Sequence, residues 1–367
     1  MFHYDIVAHK VLLLARELGL GGTERQLAET ALALDRAEFE PHVGCFSAVG
    51  FRARELRDAG VPIVELGVRS FLSASAVRGA IRLGAYLSRQ HIELVHAFDV
   101  PADLFAVPAA TLFRATAVLS SQRASRALTP GATRHLLRVT DRLAHAIVVN
   151  SQAVARELTA EDGVPASKIR LVYNGVDTAR FQRAGERVEL PLPEDGVVVG
   201  IVCALRPEKG LNLLMEAFAK IRPAHPSARL VIVGSGPMLD QLRSASCTAC
   251  HFEPAAKDVA PWLRAMDVFV LPSLSEALSN SLMEAMACGC CPVVSDVGGN
   301  PELVTDGVTG LLFPSGCPSA LAARLDLVLR DAELRRRLAA RAEQRMHTEF
   351  TREAAARRMA GVYREFL

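Results

Sequence analysis

Short apolar runs alternating with amphipathic stretches constrain this chain more than any other feature. Residues 11–15, 42–46, 63–66, 94–97, 117–120 and 146–149 read as strands. Residues 23–34, 51–59, 75–90, 101–112 and 151–158 read as helices between them. Consecutive parallel strands need a crossover, so this alternation implies parallel sheets with helices on both faces. The pattern breaks at 184–196, where Gly185, Pro191, Pro193 and Gly196 gather. It restarts at 197–202 and continues through 230–233, 268–271 and 292–295. We read 184–196 as a linker. The expected fold is α/β, with two Rossmann-like doubly wound domains, 1–183 and 184–349, facing across a cleft at the carboxyl ends of their strands. The end, from about residue 350, reads as a final helix.

Half of the 367 residues are hydrophobic, enough for two domains with large cores. No stretch of roughly 18 apolar residues runs without a charge, so no transmembrane helix is expected. His3, Asp5, His9 and Lys10 precede the run 11–15, which therefore reads as a first buried strand rather than a signal peptide. A cytoplasmic location is expected. A net charge of +2 gives no bulk electrostatic case for nucleic acid. Cys247-Thr248-Ala249-Cys250-His251 matches the c-type haem attachment pattern, but haem attachment needs export. Cys288, Cys290 and Cys291 crowd together without the spacing of a zinc module. Buried reduced thiols are the expectation, with no cofactor and no metal.

The chemistry concentrates between Glu276 and Glu284. The first carboxylate falls in a loop, and the second in the first turn of a helix that Gly289 ends. Backbone N–H groups at that junction, around Ser279, Asn280 and Ser281, carry positive potential. A phosphate at the N–H groups and hydroxyl-rich groups at the carboxylates would suit a nucleotide-sugar. The alternative is that Glu284 closes a capping box with Ser281 and Glu276 is a surface charge. Breaking a sugar–diphosphate bond also needs the departing charge stabilised. The chain holds no Asp-x-Asp pair to carry a metal. Arg206 and Lys209, just after a strand, supply fixed cations instead.

Gly21-Gly22 follows the first strand and lets backbone approach a phosphate, or serves the turn alone. Gly234-Ser235-Gly236-Pro237 reads as structural. His96 ends the fourth strand. Residues 114–142 carry Arg114, Arg123, Arg126, Arg134, Arg138 and Arg142 against the single acid Asp141. The helix 133–144, with Leu136, Leu137 and Val139 on or near its other face, reads either as a basic surface for an anionic membrane or as an ordinary solvated face.

In their order these segments resemble family 4 of the retaining glycosyltransferases, which has the GT-B fold. The likeness rests on Gly21-Gly22-Thr23-Glu24-Arg25, Val95-His96, Asn150-Ser151, Tyr173-Asn174-Gly175-Val176-Asp177, Leu205-Arg206-Pro207-Glu208-Lys209-Gly210 and Val233-Gly234-Ser235-Gly236-Pro237. It continues through Glu276 and Glu284, Gly298-Gly299-Asn300-Pro301-Glu302 and Gly310-Leu311-Leu312-Phe313. The resemblance implies a metal-independent transferase acting on a nucleotide-sugar, a UDP-sugar by default. The implied acceptor is lipid-linked or glycan, in cell-surface polysaccharide or glycolipid synthesis at the inner face of the plasma membrane. It implies that Glu276 meets donor sugar hydroxyls and Glu284 the ribose. Arg206 with Lys209 would hold the diphosphate, and Asn280 and Ser281 would give backbone N–H groups beside Ser279. Relatives often carry His-x-His where this chain has His96-Ala97-Phe98-Asp99, so His96, Asp99 or neither takes the role beside the sugar. It also implies that the last helix crosses back to the first domain. The rivals are a non-transferase GT-B enzyme, epimerase-like or phosphorylase-like, and a catalytically silent binding subunit.

Overall fold

The computed structural model describes residues 8–190, 196–246 and 248–367. His3, Asp5, Pro191, Pro193 and Cys247 therefore lie outside the described residues.

The first seven strands are β1 (His9–Ala15), β2 (Phe39–Cys45), β3 (Ile63–Glu65), β4 (Leu94–Ala97), β5 (Ala117–Gln122), β6 (Ala146–Val149) and β7 (Ile169–Leu171). They form one parallel sheet in the order β3-β2-β1-β4-β5-β6-β7. The next six are β8 (Val198–Val202), β9 (Arg229–Val233), β10 (Cys250–Glu253), β11 (Val268–Leu271), β12 (Cys291–Ser295) and β13 (Leu311–Phe313). They form a second parallel sheet, ordered β10-β9-β8-β11-β12-β13. Each sheet starts at an inner strand, builds outward, then reverses. The reversals fall between β1 and β4 and between β8 and β11. In open α/β sheets such switch points are where ligands bind, outside the carboxyl ends of the strands.

The central strands are buried on both sides, which is why they read as continuous apolar runs: Val11 to Ala15 and Val268 to Leu271 are fully buried. Three short strands escaped the sequence pattern. β7, β10 and β13 are sheet edges of three or four residues, and β10 carries the exposed His251. β2 begins at Phe39, ahead of the expected 42, because the strand runs through Pro41.

The chain divides into two compact units: residues up to Gly175 with Arg352–Leu367, and Val176–Thr351. The division falls ahead of the expected 183/184 boundary. Residues 180–186 belong with the second unit, because Arg264 donates to the carbonyls of Arg180, Gln182 and Glu186 at 2.7, 2.9 and 3.0 Å. The last helix, Arg352–Arg364, belongs to the first unit. Its Met359, Val362 and Tyr363 join Leu13, Phe39 and Phe98 in that unit's core.

Candidate functional site

At the reversal of the second sheet, Arg206, Pro207, Glu208 and Lys209 follow β8, and Glu276 follows β11. The Lys209 Nζ donates to both Glu276 carboxylate oxygens, at 2.9 and 2.8 Å. The side chains are 20% and 9% exposed, so this pair is neither solvated nor sealed. Arg206 lies further out, 63% exposed, and among the described residues its one ion pair is with Glu208 at 3.9 Å. The result is one cation held against a carboxylate and a second one largely exposed to solvent.

Backbone contacts fix these two loops to each other. The Leu274 N–H donates to the Glu208 carbonyl at 2.8 Å. Gly210, at φ +64°, lies so close to the Pro272 carbonyl that a Cβ would sit 2.0 Å from its oxygen. Gly298, at φ +55°, is pressed on the Glu276 carbonyl, where a Cβ would fall 1.6 Å away. Only glycine fits either position. The Gly234–Pro237 loop is a buttress: Leu205 N–H donates to the Ser235 carbonyl at 3.0 Å, and Met238 N–H to that of Leu205 at 3.1 Å. Its reading as structural fits this placement.

The helix after Glu276 is Asn280–Ala287, with Ser279 as its N-cap accepting from Leu282 N–H at 3.3 Å. Ser281 is thus inside the helix and cannot form the capping box with Glu284 that the sequence allowed. Glu284 is the fifth helical residue, one turn deeper than expected, and it is buried. Asn280 and Ser281 occupy the first turn, where backbone N–H groups and the helix dipole favour an anion.

The first sheet's reversal is built differently. His96 at the end of β4 is 0% exposed. Its Nδ1 meets the Tyr363 hydroxyl at 2.8 Å and its Nε2 the Ser121 hydroxyl at 2.8 Å. Burial, then the Arg123 charge, hold its pKa well below the ordinary value. Neither nitrogen is left to meet a substrate, so this geometry makes His96 a neutral structural hub and does not support the expected contact with the reacting sugar. Asp99 is occupied too: its carboxylate caps the helix Val100–Leu112 through Ala102 N–H at 2.7 Å and accepts Arg16 N–H at 2.8 Å. Gly21 and Gly22 are exposed at the start of the helix Gly22–Ala33. The Glu24 carboxyl folds against Gly21, and burial, with Asp99 adding to it, raises its pKa. Glu24 entered the sequence reading only as part of a motif, since its neighbour Asp99 lies 75 positions on.

The basic segment is less basic than its sequence. Arg126 is buried in a two-pronged pair with Asp141, at 2.7 and 2.8 Å. Arg134 and Arg138 pair with Asp162, at 2.7 and 3.3 Å. Asp162 lies beyond the stretch scanned. The helix Gly131–Leu143 buries Leu137 and exposes Leu136 and Val139, so its apolar side is only partly covered. The seven described cysteines are free thiols, and burial pushes Cys45, Cys203, Cys288 and Cys291 up to about 12. Among the described residues no group of His, Cys, Asp and Glu could hold a metal ion, and no helix is long and apolar enough to cross a membrane.

Residues 20–180 match the family model "Glycosyltransferase Family 4", and residues 182–345 match "Glycosyl transferases group 1". A D-inositol 3-phosphate glycosyltransferase of Jonesia denitrificans is 34% identical over 241 residues, covering 59% of this chain and 56% of that protein. Its counterpart in Acidothermus cellulolyticus is 36% identical over 245 residues, covering 60% and 53%. The chain thus spans about half the length of the curated relatives it matches. Among solved structures, Anabaena HepE in complex with UDP and glucose superposes with a TM-score of 0.82 at 21% identity, over 97% of this chain and 99% of that one. Sucrose-phosphate synthase of Thermosynechococcus elongatus does so at 0.82 and 21%, over 97% and 98%. These likenesses show an α/β GT-B fold.

Proposed function

The chain belongs to glycosyltransferase family 4, and from that premise we propose that it transfers a sugar from a UDP-sugar to an acceptor hydroxyl, with retention and without a metal ion. The observation that carries this reading is the Lys209–Glu276 pair at the second sheet's reversal, 2.8 Å apart, in the loops ahead of the helix that carries the buried Glu284. UDP as the carrier is supported by the UDP bound in the Anabaena structures.

In this reading the diphosphate lies against Lys209, Arg206 and the first turn at Asn280 and Ser281. Glu284 accepts from the ribose hydroxyls, and Glu276 from hydroxyls of the donor sugar. Donor binding loosens the Lys209–Glu276 pair, so that Lys209 faces the phosphate as its charge develops. The anomeric carbon–phosphate oxygen bond breaks, and the acceptor oxygen bonds the same face of that carbon. The acceptor proton passes to the departing phosphate oxygen, so no protein nucleophile is required.

The acceptor is a lipid-linked or glycan hydroxyl, and the exposed Leu136 and Val139 suit a peripheral approach to a lipid surface. A phosphorylated polyol is a second acceptor class. It is favoured by Arg123 at the end of β5, stacked on Phe98 and bonded to Asn174 at 2.8 Å, and by the name of the curated relatives.

The test is release of free UDP from UDP-glucose and other UDP-sugars, with and without acceptor, in excess EDTA. Transfer in EDTA is expected. Loss of transfer that magnesium or manganese restores would refute the metal-free mechanism. Absence of UDP release from every donor would favour a silent binding subunit.

A further inference from the structure

On the second unit, away from the loops just described, lies a recess of about 210 Å³. It is lined by Arg183, Arg187, Arg264, Arg335 and Arg336, with Asp267 as the only lining carboxylate among the described residues. Met266 and Asp267 precede β11, and Cys288 and Gly289 precede β12. Lys209 and Glu276, in contrast, belong to loops that follow β8 and β11. The strands are parallel, so the recess sits at the sheet's opposite edge.

Five guanidinium groups around one hollow repel one another unless something offsets them. The protein offsets few. Arg264 commits its three nitrogens to backbone carbonyls and is a strap. Arg183 reaches the Gly289 carbonyl at 3.4 Å and Glu343 at 3.5 Å. Arg335 donates through one nitrogen to the Val328 carbonyl at 2.6 Å, and Arg336 through another to that of Ala332 at 3.1 Å. Among the described residues no carboxylate pairs with Arg187, Arg335 or Arg336. Asp267 is engaged by the Val198 N–H at 2.9 Å. The other guanidinium nitrogens of Arg335 and Arg336, on helix Ala332–Glu349, thus remain for a ligand, as does the Arg187 fork. Forks of this kind match phosphate oxygens two at a time.

We propose that this recess is a second anion site, for a phosphate-bearing ligand, separate from the donor site and independent of the transferase reading. Its ligand is a phosphorylated soluble molecule or a phospholipid headgroup, which present the same oxygens.

The experiment uses the full chain with Arg206→Ala and Lys209→Ala, so that pyrophosphate binding at the other edge is removed. Calorimetric titration with pyrophosphate should still show binding, and adding Arg187→Ala and Arg336→Ala should weaken it at least tenfold. Both side chains are exposed, so folding should survive, and thermal unfolding checks it. Arg187→Glu with Arg336→Glu should abolish binding. In parallel, wild type and the Arg187/Arg336 variants are sedimented with phosphatidylglycerol and with phosphatidylcholine vesicles. Pyrophosphate binding lost in the variants assigns the site to soluble phosphates. Binding only to phosphatidylglycerol, lost in the variants, assigns it to a headgroup. If neither ligand binds, or if binding is indifferent to Arg187 and Arg336, the proposal is overturned. Failure of the donor-site reading would show separately, as pyrophosphate binding unchanged by Arg206→Ala and Lys209→Ala.

Discussion

The carboxyl edges of the two sheets occupy equivalent places in equivalent topologies, yet the chain treats them in opposite ways. At the first, the ring of His96 is filled from both sides by Tyr363 and Ser121 and holds no charge. At the second, Lys209 and Glu276 form a partly exposed ion pair. A switch point can therefore carry either a neutral hydrogen-bonded hub or an ion pair. What decides is which side chains end the strands there.

Charge removal at the second edge should give the largest effect. Lys209→Ala should lower turnover ~10²–10³-fold, the scale for one preorganised charge-stabilising group. Steady-state rates with saturating donor measure it, and wild-type turnover in a folded variant would sink the assignment. Because Glu276 is then left without its cation, Lys209→Arg is the control that keeps the charge.

The carboxylates come next, at ~1.5–3 kcal/mol each for a lost charged hydrogen-bond partner. Glu284→Gln should weaken both UDP and UDP-sugar in calorimetric titration. Glu276→Gln should spare UDP and weaken only the sugar-bearing donor. Equal losses for UDP in both variants would mean that the two roles are not divided.

At the first edge the expected cost is structural. His96→Ala leaves the Tyr363 and Ser121 hydroxyls buried without their partner, at ~1–3 kcal/mol. Thermal unfolding should register it while turnover per folded molecule stays near wild type. A large fall in turnover with unchanged stability would return His96 to catalysis and erase the contrast.

The smallest effect on turnover is expected behind the helix Gly131–Leu143. Asp103 is buried, and burial together with Asp141 raises its pKa to about 8. The unfolded carboxyl ionises near its ordinary value of about 4. The folded state thus holds the extra proton between those values, and this group's contribution to stability falls as pH rises from about 4 to about 8. Asp103→Asn should flatten that part of the stability–pH curve and leave activity alone. An unchanged curve would mean that Asp103 is ionised in the fold.

How far sequence alone reached follows the same contrast. Strands buried on both faces announce themselves, so β1, β4, β8 and β11 were legible to within a residue or two. The residues we propose for the donor side could be picked out because they are local: Arg206 and Lys209 share one loop, and Glu276 shortly precedes the helix Asn280–Ala287. The fate of His96 was not, because its partner Tyr363 lies 267 positions away. The partners of the basic segment were hidden for a related reason: Arg134 and Arg138 find Asp162, just past the helix Gln152–Glu161 and outside the window that made them look unopposed.

That distance between His96 and Tyr363 also has a meaning in time. A chain made from its amino end produces all seven strands of the first sheet before the helix that completes their core. The entire second unit emerges in between, a delay on the order of 10–40 s at ~5–20 residues per second. Until Tyr363 arrives, Phe39, Phe98 and the imidazole of His96 lack a cover. The first half to be synthesised is thus the last to be finished, and it is the half that must be kept from sticking to its neighbours while it waits.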